Sequence, residues 1–415
     1  MGMKALVLSG GGARGAYEAG VLHYVLTQLP PAIQDKVRFE IYTASSAGAI
    51  NSCFLAAWAH DLKNQAPNLR ALWETVTAKD IYRRGSSGLS RFLYDTVTGV
   101  TGNFLRRLSA FSPKADGSRH FRGLFDTAPF REYLKKKVPW PQIGLNLKKG
   151  NFWAIALAVT SNRSGRLNFF VQKDKKIKYA GAHRIREVDF GPEHAMASAA
   201  IPLLFPQVSV GKDFYSDGSL RQNTPLSPAV HMGAKRLFII TTYSRSEEVP
   251  TEIVPLKPAK APPSAIHAVE VFLHSTFLDR IEYDLRQTER INAVIEASER
   301  TFGPGYLQRV NEVFAMEYRQ TEFGERSLGK LKLLVLSPSQ DIAKIACDCL
   351  GAGSSHPVQF SSFEKFLMHL FDIDPIAEPG LLSYLLFDKR FTGALTELGY
   401  EDARTRHDEL VEFFV

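Results

Sequence analysis

The sequence predicts an α/β fold, with a mostly parallel central sheet, helices on both faces and a helical C-terminal extension. Three observations predict it. Short apolar runs alternate with stretches of helical spacing through the first 245 residues. The first two strand candidates flank a helix, joined by a glycine turn and a proline pair, as in a βαβ unit. Beyond residue 265 the spacing is largely helical.

Taken in order, Leu6-Val-Leu8 is an apolar run that stops at Gly10-Gly-Gly12, and Ala16 to Leu26 follows with apolar residues at helical spacing. Pro30-Pro31 ends that helix. Val37 to Thr43 reads as the second strand and Ala47 to Trp58 as the second helix, joined by Ala44-Ser45-Ser46. Further strands are expected at Phe152 to Val159, Leu167 to Val171, Arg236 to Thr242 and Lys332 to Leu336. Helices are expected at Thr127 to Lys136 and Ser227 to Met232. The expected organisation is a core over residues 1–245, a connector over 246–264 where Pro, Lys and Ala crowd together, and a mostly helical part over 265–415 that completes the same domain. Residues 82–122 mix Gly, Ser and Arg with Phe92, Leu93, Tyr94, Phe104, Leu105 and Phe111 without a clean period, which suggests a cap over the site or an ordinary surface excursion.

The 415 residues are 45% hydrophobic and 23% charged, the balance of a globular protein with a substantial core. Only three cysteines occur, Cys53, Cys347 and Cys349, so a reducing, cytoplasmic setting is expected and no disulfide framework. No second Cys or His pair follows at zinc-site spacing, so no metal is expected. Because the first strand follows almost at once, no secretory signal is expected, and no run of apolar residues is long enough to span a bilayer. A formal charge of +8 points to anionic partners. The basic residues lie scattered at Arg83-Arg84, Arg106-Arg107, Lys135 to Lys137 and Lys173 to Lys178, outside any nucleic-acid-binding module, so transient contact with a phospholipid surface is expected and nucleic acid is not.

In a βαβ unit the two strands are parallel neighbours, so their carboxyl ends meet at one sheet edge. The glycine loop follows one end and Ser46 the other, at a strand-to-helix turn of the nucleophile-elbow kind. Attack by a serine on an ester creates an oxyanion, and backbone N–H groups of Gly11 and Gly12 suit its capture. Alone, Gly10-x-Gly12-x-x-Gly15 also fits a dinucleotide fingerprint. That reading expects an acidic residue at the end of the second strand, whereas Asp35 precedes the strand and Thr43-Ala-Ser-Ser-Ala-Gly48 stands at its end. A serine needs a base. None of the eleven histidines sits in a setting that nominates it; His194, His231 and His274 read as surface or packing residues. Asp217, in Phe214-Tyr-Ser-Asp-Gly-Ser219, reads as a strand end turning at the catalytic edge, and it could serve if burial raises its pKa. The plain alternative is an Asp-Gly turn.

These residues together resemble the patatin-like phospholipase family. Gly10-Gly-Gly-Ala-Arg-Gly15 looks like its oxyanion loop, Ser45-Ser46-Ala47-Gly48 like its nucleophile elbow and Asp217-Gly218 like its catalytic Asp-Gly pair. Ala197-Ser-Ala-Ala-Ile-Pro-Leu-Leu-Phe-Pro206 and Asn223-Thr-Pro225 are similar to further family segments, so the resemblance covers roughly Lys4 to Tyr243. The C-terminal part matches only loosely, through Leu333 to Pro338 and Leu398 to Asp402. The resemblance implies a three-layer α/β sandwich related to acyl-carrier transacylases and lysophospholipases, and a Ser46–Asp217 dyad without histidine. It also implies a supporting role for Arg14, and hydrolysis of fatty-acyl esters with neither metal nor cofactor. The sequence departs from the family pattern at Ala44, where the elbow ordinarily has glycine. An acyltransferase using the same dyad, a nucleotide-binding protein using the glycine loop and a catalytically silent interaction protein are the alternatives; oligomeric state and head-group preference are left open.

Overall fold

The computed structural model describes residues 2–84, 123, 125–202, 204–243, 265–317, 328–350 and 379–415. Among these, nine strands form one sheet: β1 (Met3–Leu8), β2 (Ile41–Ala44), β3 (Ala154–Ser161), β4 (Leu167–Lys173), β5 (Arg184–Glu187), β6 (Val208–Val210), β7 (Asp213–Asp217), β8 (Ala234–Ile240) and β9 (Lys332–Leu336). The spatial order is β9-β8-β1-β2-β3-β4-β5. The first five strands of this order run parallel, β4 is antiparallel to β3, and β5 is parallel to β4. The fold is thus α/β with a mostly parallel central sheet.

Strand alternation explains why both faces are covered. Leu6 and Leu8 of β1, Ile155, Leu157 and Val159 of β3, and Phe238 and Ile240 of β8 enter one hydrophobic core. Their neighbours Ala5, Val7, Ala154, Ala156, Ala158, Leu237 and Ile239 enter the other. Strands buried on both faces read as continuous apolar runs, which is how these were legible. The larger core packs under α1 (Gly15–Gln28), α2 (Ser46–Trp58), α3 (Leu62–Thr75), α4 (Ala128–Lys137) and α5 (Trp140–Lys148). A shorter helix, α6 (Pro192–Ser198), lies over the carboxyl end of β3 on the same face. The smaller core is covered by α7 (Leu226–His231) and by Leu285 of α8 (Ala265–Phe302), which α9 (Tyr306–Glu317) follows.

The C-terminal helices α10 (Ile342–Leu350), α11 (Pro379–Leu385), α12 (Lys389–Thr405) and α13 (His407–Phe414) return to the larger core. Phe413 and Phe414 pack on Phe238 of β8, and the Tyr17 hydroxyl of α1 donates to Asp402 Oδ2 of α12 at 3.0 Å. Helices α1 and α12 touch backbone to backbone: a Cβ on Gly399 would collide with the Tyr17 carbonyl oxygen, and one on Gly20 with that of Thr396.

Two details differ from expectation. The second strand starts at Ile41 rather than Val37, because Pro31–Lys36 forms a 3₁₀ turn and Val37 and Phe39 spend their apolar character on the core without a ladder partner. Strands β5 and β6 and helices α3, α5 and α6 were not expected; their segments are short or only half-buried, so the pattern is weak. Of the expected cap, residues 85–122 lie outside the described residues, as does the connector 246–264. No helix among the described residues is long and apolar enough to cross a membrane.

Because α12 has no room for a side chain at residue 399, Gly399→Val should lower stability by about 2 kcal/mol or more. Urea unfolding followed by circular dichroism would read this as a lower midpoint. An unchanged midpoint would mean that α12 is not held against α1 as described.

Candidate active site

Strands β1 and β2 pair in register from Ala5↔Ile41 to Leu8↔Ala44, so both chains leave the sheet side by side. Ser45 N–H donates to Leu8 O at 3.3 Å, and Gly48 N–H to Ser9 O at 3.2 Å, which ties the first turn of α2 to the glycine loop. Ser46 sits between them with φ 50°, the only positive φ at a non-glycine among the described residues. Such a backbone costs on the order of 1–3 kcal/mol and persists only where its surroundings impose it. Here Ser46 N–H donates to Ser198 Oγ at 3.0 Å, and Ser198 Oγ–H donates to Ala158 O at 2.7 Å, so α6 and β3 clamp the elbow. Ala44 is fully buried within β2, where its methyl is absorbed by the apolar core.

Sheet topology delivers the partner. Strand β2 accompanies β3 only as far as Leu157, and β7, running the opposite way, pairs with the rest of β3 from Ser161 back to Val159. Since β4 already occupies the other side of β3 up to Thr160, β7 takes the edge that β2 vacates. The two chain ends therefore face each other across Ala158. Ser46 Oγ donates to Asp217 Oδ2 at 2.8 Å, while Ser219 N–H donates to Asp217 Oδ1 at 2.8 Å. The backbone of Asp217 is fixed as well, its N–H on Ala200 O at 2.9 Å and its carbonyl accepting from Thr160 Oγ1 at 2.8 Å. Its side chain is buried, with no cation beside it among the described residues. Burial pushes its pKa up to about 6, and the hydrogen bonds from Ser219 and Ser46 hold it from rising further. A carboxylate tuned near neutrality is a competent proton acceptor at the pH where it is needed.

The glycine loop is held from below. Gly10 N–H is taken by Asn223, at 2.9 Å to Oδ1 and 3.1 Å to O, and Gly10 O accepts from Thr242 Oγ1 at 2.6 Å. The N–H groups of Gly11 and Gly12 have no acceptor among the described residues. Gly12 has φ 55°, a conformation that suits glycine, and it abuts the Tyr384 carbonyl. Arg14 is 1% exposed and points away from the loop into α11, with Nε on Ser383 Oγ at 2.7 Å, Nη2 on Gly380 O at 3.2 Å and its guanidinium 4.2 Å above the Tyr384 ring. Gly15 O accepts from Asn51 Nδ2, which also donates to buried Glu18; Glu18 Oε1 accepts from Ser9 N–H at 2.9 Å, and burial raises its pKa well above the usual range.

A cleft opens beside Ser46, Ala47 and Gly12, with about 540 Å³ of space between its walls, part of it open to solvent. Ile50, Leu72, Trp73, Ile81, Phe130 and Phe387 make its lining almost wholly apolar, and no histidine is among the described residues that line it. His194 instead accepts from Gly191 N–H at 3.0 Å and packs against Phe170 and Phe190.

Sequence reasoning thus picked residues that converge in space: Ser45, Ser46, Ala47, Gly48, Gly10, Gly11, Gly12, Asp217 and Gly218 lie around one edge. It gave no role to Ser198, Ser219, Thr160, Asn223 or the Glu18–Asn51 pair, nor to Tyr384 and Phe387. Ser198 and Asn223 stand inside segments that resemble family motifs, which was their only signal. The α11 residues carry none, since their contact with Arg14 spans more than 360 positions.

The family model for patatin-like phospholipases matches residues 6–230, which contain the glycine loop, the elbow and the Asp-Gly turn. The chain belongs to this family. Membership puts it among the lipid acyl hydrolases at the family level, with lipid esters as the substrate class. A solved structure, that of VipD from Legionella pneumophila, is similar with 12% identity and a TM-score of 0.34, over 99% of this chain and 67% of that one. No curated protein matches the sequence.

Burying the Asp217 carboxylate destabilises this patatin-like fold wherever it is ionised. The folded pKa lies above the unfolded value near 3.8, so the folded state binds more protons between these values and stability falls as pH rises through that window. Asp217→Asn should therefore melt above wild type at pH 8, by the equivalent of roughly 3 kcal/mol, with the gap closing towards pH 4. Calorimetry across pH checks this. A gap independent of pH would assign the cost to something other than the charge.

Proposed function

We propose that the protein is a serine lipid-acyl hydrolase of the phospholipase A or lysophospholipase type, working through a Ser46–Asp217 dyad and an acyl-enzyme. The observation that carries this reading is the 2.8 Å hydrogen bond from Ser46 Oγ to a fully buried Asp217, at the mouth of an apolar cleft. An acyl chain lies along Ile50, Leu72 and Phe130, which places its ester at Ser46. Asp217 accepts the Ser46 proton as Oγ attacks the carbonyl carbon. The oxyanion is received by Gly11 and Gly12 N–H, donors of the kind worth about 3 kcal/mol each, aided by the N-terminus of α2. Asp217, now protonated, returns the proton to the leaving alkoxide. Water activated in the same way then releases the fatty acid. Gly10 and Gly15 hold the ends of the loop in place, Arg14 anchors it to α11, and neither metal nor cofactor enters a step.

We further propose that residues 265–415 complete the same domain as the first 245, and that the protein is cytoplasmic and reaches its lipid by transient contact with a membrane surface. What supports the first point is that β9 joins the sheet and α11 contributes Tyr384 to the cleft.

Fatty-acid release from mixed phospholipid vesicles tests the proposal. Ser46→Ala should lose turnover by about 10⁴-fold or more and should not react with a fluorophosphonate. In wild type, kcat/KM should rise as Asp217 deprotonates and level off above about pH 6. Equal release by Ser46→Ala would sink the dyad.

A further inference from the structure

A second concavity lies at the same carboxyl edge of the sheet, distinct from the apolar cleft. The turn from β3 to β4, the start of β5, Arg221-Gln222 and α8 enclose it, and it is wide, with about 1810 Å³ of space open to solvent. Its character is the opposite of the cleft's. Arg166, Arg184, Arg221 and His183 line it, with Asp284 as the only carboxylate among the lining residues. Arg166 and Arg184 are exposed, and neither guanidinium has an ion-pair or hydrogen-bond partner among the described residues. The Arg166 and Arg184 guanidinium groups, both at one concavity and without a partner among the described residues, concentrate anions between them. Arginine's planar fork suits phosphate in particular.

A second observation narrows the ligand. Gln222 is only 9% exposed, takes part in the lining, and its Oε1 has no hydrogen-bond partner among the described residues. A buried amide oxygen without a donor is costly, and a fully ionised phosphate cannot supply one. A ligand carrying both a phosphate and hydroxyl groups answers the arginines and the amide together.

The groove is joined to the dyad by the chain itself. Arg221 and Gln222 lie in the turn that follows Asp217, where both of their N–H groups donate to Gly218 O at 3.0 Å. The next residue, Asn223, holds Gly10 of the glycine loop. On the other wall, Asn162 N–H donates to Phe214 O at 3.0 Å, which fixes the β3–β4 turn to β7. The lysines at Lys135 to Lys137 make no comparable site, since they stand on the exposed end of a helix and Lys135 already pairs with Glu132 at 2.9 Å.

We propose that this groove binds the phosphate of a phosphorylated polyol headgroup, so that an anionic lipid is gripped at its headgroup here while its ester faces Ser46. The lipid source rests on the hydrolase reading; the phosphate site does not. The experiment therefore uses Ser46→Ala protein, in which hydrolysis plays no part. Flotation would be measured with phosphatidylcholine vesicles alone, with a phosphatidylinositol monophosphate added, and with phosphatidylserine added to equal charge. Soluble inositol phosphate serves as competitor and, by calorimetry, as a ligand in its own right. The expected result is binding that needs the phosphoinositide, is competed by inositol phosphate, and weakens about tenfold or more when Arg166→Gln and Arg184→Gln are added. These exposed side chains have no partner to lose among the described residues, and an unchanged melting point of the variant checks the fold. Undiminished affinity of that variant for both probes overturns the proposal. So does an equal loss on substituting Lys135, Lys136 and Lys137 by Gln, which would mark general surface charge. If inositol phosphate binds in an arginine-dependent way and vesicles do not, the phosphate site stands and its assignment to a lipid headgroup falls.

Discussion

The arrangement depends on one constraint: a carboxylate must be buried where two strands end head to head. Strand β2 leaves the edge of β3 at Leu157 and β7 arrives on it at Val159, so the gap between them is one residue wide. Ser46, two residues beyond the end of β2, and Asp217, the last residue of β7, carry the polar side chains that meet there. Their hydrogen bond gives each a partner in a place where an unpaired polar group would cost several kcal/mol. The Ser198 clamp holds the Ser46 backbone at positive φ, so its strain is part of the site's geometry.

Around that pair the polar atoms are satisfied almost entirely by other buried groups. Ser198 links the elbow to the Ala158 carbonyl, Thr160 holds the Asp217 backbone, and Asn223 consumes the N–H of Gly10. Networks of this kind are stable when complete and rigidify what they join. Their completeness leaves Gly11 and Gly12 as the loop N–H groups without an internal acceptor among the described residues. A preorganised loop is the condition for donors to act on a developing charge without reorganising first.

The C-terminal helices are bound to this centre by packing that tolerates no added atoms. Gly20 and Gly399 let α1 and α12 meet at backbone distance, and the Arg14 side chain reaches from the glycine loop into α11. One consequence is that the wall of the apolar cleft comes from both ends of the chain, with Trp73 and Phe387 stacked at 6.5 Å between ring centres.

Local pattern carried much of this architecture. The doubly buried strands β1, β3 and β8 are readable as apolar runs, and the glycine loop, Ser45-Ser46-Ala47-Gly48 and Asp217-Gly218 are readable because tight turns demand particular residues at fixed spacing. The sequence by itself thus determined the α/β class, the parallel βαβ start and which residues stand at the sheet edge. It did not determine the start of β2, since Val37 and Phe39 are apolar for packing and not for pairing. Nor did it reveal that β7 fills the edge that β2 vacates, that Ser198 and Asn223 hold the elbow and the loop, or that Tyr384 and Phe387 close the cleft. Those facts are contacts between residues far apart in the chain. Tertiary structure decided them, because the free energy of such a contact depends on what the rest of the fold brings beside it and leaves no periodic trace in either segment.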